Sequence, residues 1–260
     1  MSQGYPPSGS DPYSAPPSGV RVPVTVSRTA AQPLVTYAIL GLTVFVYLLQ
    51  WGTILLLRED YPLIWGIKDN SLIQSGELWR FFTPMLLHSK TNILHIAFNM
   101  YALFSIGRPL ELYYGHKRYL ALYLISGFAG NVFSFIFTSY NSLGASTAVF
   151  GLFAAEGVFL YHNREMFGKQ ANRALSQVVM LAVVNLAIGL SPGIDNFGHI
   201  GGLAGGALFA WFAGPLLGVA GFYPSFSTVD KRDARNVWLA GLGISAWFML
   251  LAAATMFIRR

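Results

Sequence analysis

The chain has 260 residues, 54% of them hydrophobic and only 11% charged, with a formal net charge of +6 and no cysteine. Soluble domains carry about a quarter charged residues, so this composition excludes an ordinary water-soluble globule. The missing cysteines exclude disulfides and thiol catalysis. The positive excess lies beside apolar segments, as membrane anchors do, and calls for no nucleic-acid partner.

Residues 1–33, opening "MSQGYPPSGSDPYSAPPSG", are rich in Pro, Ser and Gly and are predicted to form a disordered tail, because such a segment cannot bury enough apolar surface to fold. No basic stretch and cleavage site surround a short apolar core at the start, so the first apolar run reads as a retained span. A helix needs roughly 20 residues to cross the hydrocarbon core. The uncharged intervals predict seven spans, near 34–55, 91–112, 117–138, 146–163, 174–191, 198–217 and 236–257. The expected fold is therefore all-α, a polytopic membrane helix bundle. Its core covers residues 34–217, a linker loop covers 218–235, and an additional C-terminal helix lies in 236–260. Lys and Arg number eleven in the segments that would be inside if the N-terminus is cytoplasmic, and six in the others, so the N-terminus is expected inside and the protein in the cell membrane.

Between the first two spans lies "LREDYPLIWGIKDNSLIQSGELWRFFTPMLLHSK", too long and too apolar for a passive connector. A partly embedded loop with short helices is expected, with the "ELWRFF" stretch at the headgroup level and its Arg reaching outward. The sixth span opens "FGHIGGLAGGALFAW", where Gly198, Gly202 and Gly206 recur every four residues, as do Gly201 and Gly205. Small residues at this spacing let two helices approach closely in lipid, and His199 sits inside that close contact. No long-period repeat points to a transporter.

Polar groups in a bilayer must find partners or do chemistry. "HIAFN" puts His95 and Asn99 four residues apart, on one helical face. "SYNSLGASTAVFG" presents Ser146 at the start of the fourth span, and His199 begins the sixth from the same side of the membrane. A serine hydroxyl becomes a nucleophile when an imidazole takes its proton, and the tetrahedral oxygen then needs preorganised donors. Gly144 and Ala145 leave the approach to the serine uncrowded. Singly, each group also fits a structural part: Ser146 as an N-cap, His95 and Asn99 as interhelical bonds, His199 as a packing residue.

Together, "ELWRFFT", a histidine ahead of "HIAFN", "GRPLE", "GASTAVFG" and "GHIGGLAGG" resemble the rhomboid family of intramembrane serine proteases, over residues 34–217. The resemblance implies a six-helix rhomboid-like core, to which many relatives add a seventh C-terminal helix. It implies Ser146 as nucleophile and His199 as base, a dyad with no obligatory acid. His95, Asn99 and the Ser146 N–H would form the oxyanion hole. Phe150 would pack on the imidazole, with Gly144 and Gly202 supporting the site. Trp79, Arg80 and Glu111 would be structural, Arg80 and Glu111 in one loop-anchoring network, and His88 would be a structural loop histidine. No cofactor or metal is implied, and the partners would be transmembrane protein substrates in the lipid bilayer. The family commonly has Gly after the nucleophile, where Thr147 stands here, so substrate clearance at that point differs.

Asp195 precedes His199 by four residues and reads as a helix-start acid rather than a triad member. Glu156, Asn131 and Asn185 read as hydrogen-bonded within the bundle, the two asparagines between helices, and His116 and His162 as interfacial. The alternative functions are an inert relative that binds transmembrane helices, and a channel or transporter using His199 and Glu156. There is no "HExxH" for zinc, and no intramembrane aspartate pair that could share a proton.

Overall fold

The computed structural model describes residues 24–25, 28–222 and 225–259. After the short strand β1 (Val24–Thr25) the chain enters α1 (Leu34–Leu57). The following loop holds α2 (Tyr61–Gly66), α3 (Asn70–Gln74) and two 3₁₀ turns, Leu78–Phe81 and Thr83–Leu86. Helix α4 (Ile93–Ala102) continues through one π turn, Leu103–Gly107, into α5 (Arg108–Tyr114). Gly115, at φ +74, ends that run and starts α6 (His116–Phe137). Then come α7 (Ser146–His162), α8 (Arg164–Phe167), α9 (Lys169–Ile188) and α10 (Asn196–Ala213). Strands β2 (Leu217–Phe222) and β3 (Ser225–Asp230) precede α11 (Ala234–Ile258). The protein is thus an all-α membrane bundle with a small sheet, and each expected span has a helical counterpart. Helices α1, α6, α9 and α11 are each long and apolar enough to cross a membrane.

Helix starts are set by Asx side chains that accept the orphan N–H groups of the first turn. Asp60, Asp69, Asn92, Asp195 and Asp233 do this for α2, α3, α4, α10 and α11. Helix α1 begins after Pro33, which offers no such side chain. Its cap comes from 75 residues away: the fully buried Glu111 carboxylate accepts from Val35 N at 2.8 Å, Thr36 N at 2.7 Å and Thr36 Oγ1 at 2.6 Å. The anion sits against the positive end of the helix dipole.

Helix α10 lies between α6 and α7, and both glycine stripes are used. A Cβ at Gly202 would overlap the Thr147 carbonyl, and one at Gly206 the Gly151 backbone. A Cβ at Gly201 or Gly205 would press on Phe133 and Ala129 of α6. One stripe therefore faces α7 and the other α6, and neither admits a larger residue without moving a helix. Helix α11 packs outside α6 and α10.

Several readings need correction. Arg80 does not reach outward: it is 2% exposed and folds into its own loop, bonding Ile67 O at 2.7 Å, Ile64 O at 2.9 Å and Glu77 at 2.7 Å. The loop bends so that three free oxygens converge on the guanidinium, which outweighs hydration of the head. Glu111, which caps α1, is therefore not in one network with Arg80. Asn131 donates to Phe81 O of the loop at 2.9 Å, and Asn185 to Leu181 O one turn back in its own helix at 2.8 Å, so neither joins two helices. Glu156 has no hydrogen-bond partner among the described residues.

Of the expected tail, residues 1–23, 26 and 27 lie outside the described residues. Val24–Thr25 pairs parallel with β3, and Thr29 and Ala30 bond Tyr113 O and Leu112 O at 2.8 and 3.1 Å. The segment read as a linker loop carries the antiparallel β2–β3 pair. Arg259, at the chain's far end, caps α6 by donating to Phe135 O and Ile136 O at 2.7 and 2.6 Å.

Candidate active site

The turn before α7 is built to approach its neighbours. Gly144 has φ +129, and a Cβ there would lie 2.7 Å from His95 Nε2 and 3.5 Å from Ser146 Oγ, so both backbone angle and space require glycine. The turn is held by Gly144 N bonding Pro84 O at 2.9 Å and by Ala145 N lying 3.5 Å from His88 Nε2. Burial, with neighbouring His95, pushes the loop residue His88 down to about 3, so its ring is neutral and able to accept.

Ser146 is the first residue of α7, and its N–H belongs to the set a helix start leaves without an intrahelical acceptor. Its Oγ is 3.0 Å from Nε2 of His199, on the first turn of α10. The His199 ring stacks on Phe150, one turn after Ser146, at 4.2 Å between centroids and 16° between planes. With Nε2 accepting from the serine, Nδ1 carries the proton, and it has no partner among the described residues. Asp195 does not supply one. Its Oδ1 caps Gly198 N at 3.0 Å and its Oδ2 accepts from Ser134 Oγ, in keeping with a helix-start acid.

His95 and Asn99 share a face of α4 that lines the same cavity of about 1160 Å³ as Ser146, Phe150 and His199. The His95 and His88 rings lie 5.1 Å apart. Asn99 Nδ2 donates to His95 O at 2.9 Å, which occupies one amide proton and leaves the other. Exposed Thr91, Asn92 and Asn141 also line the cavity, so it reaches the surface at the loop end of the bundle.

Thr147 is 6% exposed and borders the cavity, but its Cβ and Cγ2 face Gly130 of α6 and Gly198 of α10, so the methyl lies between helices. Gly202 is where α10 passes the Thr147 carbonyl, one turn below His199. Of the expected set, Ser146, His199, His95, Asn99, Phe150 and Gly144 line one cavity, whereas Gly202 lies outside its lining, at the contact of α10 with α7. His116 bonds Glu111 at 2.6 Å, and His162 packs on Trp211 at 4.6 Å, both away from it.

Sequence reasoning missed two buried polar residues around the site. Gln50, fully buried in α1, donates to Asp60 at 3.1 Å and accepts from His88 N at 3.1 Å. Lys68, fully buried in the first loop, bonds Thr138 Oγ1 at 3.0 Å and Tyr140 O at 2.9 Å. A glutamine inside an apolar span was the one signal available for the first; nothing local marked the second.

The chain matches the family model of the rhomboid domain over residues 75–216. It is 36% identical to the rhomboid protease GluP of Bacillus subtilis over 214 residues, covering 82% of this chain and 40% of that protein. It is 37% identical to RHOMBOID-like protein 4 of Arabidopsis thaliana over 147 residues, 56% of this chain and 36% of that one. It is 29% identical to the rhomboid protease AarA of Providencia stuartii over 217 residues, covering 75% of this chain and 76% of that protein. The chain therefore spans well under half the length of the Bacillus and Arabidopsis relatives.

Proposed function

The chain belongs to the rhomboid family, and from that premise we propose that it is an intramembrane serine endopeptidase that cuts peptide bonds in or beside transmembrane segments of other proteins. The observation that carries this reading is the 3.0 Å approach of Ser146 Oγ to His199 Nε2, inside a surface-reaching cavity shared with His95 and Asn99.

In this reading Ser146 Oγ attacks the scissile carbonyl carbon while its proton passes to His199 Nε2. The carbonyl oxygen becomes an oxyanion, met by the Ser146 N–H at the positive end of α7 and by donors from His95 and Asn99. Collapse breaks the C–N bond, and the proton on His199 leaves with the amine. Water then attacks the acyl-serine by the same route, releasing the acid and restoring the hydroxyl. Phe150 fixes the plane of the imidazole, whose Nδ1 meets no acid among the described residues.

A peptide bond inside an intact helix is shielded by its own hydrogen bonding, so substrate segments weakened by small or helix-breaking residues are favoured. By the distribution of Lys and Arg, the reading puts the N-terminus in the cytoplasm, the protein in the cell membrane and the cavity on the opposite side. Residues 34–217 form the catalytic core in this scheme, with α11 added outside it.

The test is cleavage of a single-span substrate by the purified, reconstituted parent, Ser146→Ala and His199→Ala, with the cut site mapped. Both variants are expected to be inactive, and Ser146→Ala to lose labelling by a fluorophosphonate. A Ser146→Ala protein that cleaves as fast as the parent refutes the reading, and a parent that binds substrate without cutting or labelling makes the protein a helix binder.

A further inference from the structure

Lys68 is fully buried and lies ahead of the segment matched by the family model. Burying an ammonium is costly, and an apolar side chain of similar length would fill the same space without that cost. Packing alone therefore does not account for a charge here.

What surrounds it is a chain of polar contacts between the two halves of the dyad. The backbone of Lys68 pairs with Ser142, its N to Ser142 O at 3.1 Å and its O with Ser142 N at 3.2 Å. Its ammonium bonds Thr138 Oγ1 and Tyr140 O. The loop thus grips the 138–142 turn, four residues ahead of Ser146, through main chain and side chain together. Thr138 Oγ1 donates to Ser134 O at 2.8 Å, while Ser134 Oγ accepts from Ser142 Oγ at 3.2 Å and donates to Asp195 Oδ2. Asp195 in turn holds the first turn of α10 by accepting from Gly198 N, beside His199. Positive and negative charge sit at the two ends of this relay, with the Thr138 hydroxyl and the carbonyl and hydroxyl of Ser134 between them.

We propose that Lys68, acting through Thr138, Ser134 and Asp195, is a positioning residue: it keeps the turn that presents Ser146 in register with the helix start that presents His199. This rests on the dyad reading above, but adds a residue from the first loop to it. The geometry explains why the link matters. Ser146 and His199 lie in the first turns of helices α7 and α10, whose glycine contacts set the separation of the two helices, while the turns ahead of them meet through these side-chain contacts. A polar relay with a charge at each end resists sliding of one turn past the other, because stretching it exposes a buried ion.

The ionisation of Lys68 gives a signature. Burial pulls the ammonium from 10.5 down to about 8, opposed by Asp195 and Asp69 and aided by Arg259. Tyr140, the remaining titratable neighbour in the turn, has its phenol raised by burial and by Asp195, so it ionises at higher pH than Lys68. The native group loses its proton before the unfolded one does, so between pH 8 and 10.5 its titration does not weaken the fold. A rate that falls there without a falling Tm isolates positioning from stability.

The experiment compares the full-length parent, Lys68→Met, Asp195→Asn, Ser134→Ala and the Lys68→Met/Asp195→Asn double in liposomes, measuring kcat, KM and Tm from neutral to alkaline pH. The parent is expected to lose kcat as pH rises through about 8. Lys68→Met should remove that limb and lower neutral kcat about tenfold at near-constant KM, as a misplacement of under 1 Å does. The double should be no slower than the slower single, since one relay is broken twice. Ser134→Ala removes one oxygen and is the arm to read if Lys68→Met does not fold; it should lower kcat by a similar factor. An alkaline limb that persists in Lys68→Met, additive losses in the double, or a Ser134→Ala protein with parental kcat overturns the proposal. A parent that neither cleaves nor labels at Ser146 overturns the dyad reading instead, so the two failures are distinct.

Discussion

Gly202→Ala tests whether the close approach of α10 to α7 sets the catalytic geometry. The new Cβ would overlap the Thr147 carbonyl oxygen, a backbone atom that no rotamer change can move. The helices must part by roughly 1.5 Å to reach ordinary contact, at a cost of about 1–3 kcal/mol for an overpacked interface. Gly202 lies three residues after His199 and Thr147 follows Ser146, so the same parting lengthens the 3.0 Å Ser146–His199 contact. A displacement of that size costs on the order of 100-fold in rate. Gly41→Ala is the control: on α1 nothing lies within 4 Å of its Cβ, and a change of under about 0.5 kcal/mol is expected. The assay is kcat on a single-span substrate in liposomes, with thermal unfolding on the same preparations. A Gly202→Ala protein that keeps both rate and Tm within error of the Gly41→Ala control refutes the reasoning.

Replacing Glu111 by Gln leaves two N–H groups and a hydroxyl at the start of α1 facing an amide with a single acceptor oxygen; a loss of roughly 3 kcal/mol is expected, read as a lower Tm with little change in kcat of the folded fraction. Asn99→Ala and His95→Ala should each lower kcat about 100- to 1000-fold, the cost of one oxyanion donor, with KM nearly unchanged; losses confined to KM would remove these residues from the oxyanion hole. Phe150→Leu removes the ring under the imidazole and should slow both cleavage and fluorophosphonate labelling about tenfold, whereas Phe150→Tyr should retain most of the rate; equal rates for the two would dissociate the stacked ring from catalysis. Thr147→Ser deletes only the methyl that faces Gly198, and cleavage within about twofold of the parent is expected because that methyl points between helices; a large gain would mean that it obstructs substrate.

The parts of this protein legible in its sequence are those that depend on one segment at a time. Span positions were readable because lipid forces each backbone to satisfy itself within a helix, so a long apolar run has one stable form. The ends in 169–188 and 196–213 moved furthest from expectation, and at their starts polar residues such as Gln170 and Asn196 enter a helix whenever capping or neighbours permit. Ser146, His199, His95 and Asn99 were found by motif, since each keeps a fixed place in its own helix.

Partner choice was not legible in the same way. Arg80 and Glu111 are both charged residues near apolar stretches, and sequence could only assign them a shared network; in space one gathers loop carbonyls and the other caps a helix 75 residues earlier. Lys68 resembles any loop lysine until the 138–142 turn closes over it. Local patterning is enough to establish a helical membrane bundle carrying a serine and histidines near helix starts, because helix formation in lipid is a local necessity. That the hydroxyl meets the imidazole, that the Thr147 methyl lies between helices, and which buried charges hold the surrounding turns all emerge in the folded bundle, because those contacts join segments tens of residues apart and exist only when glycine lets the helices touch.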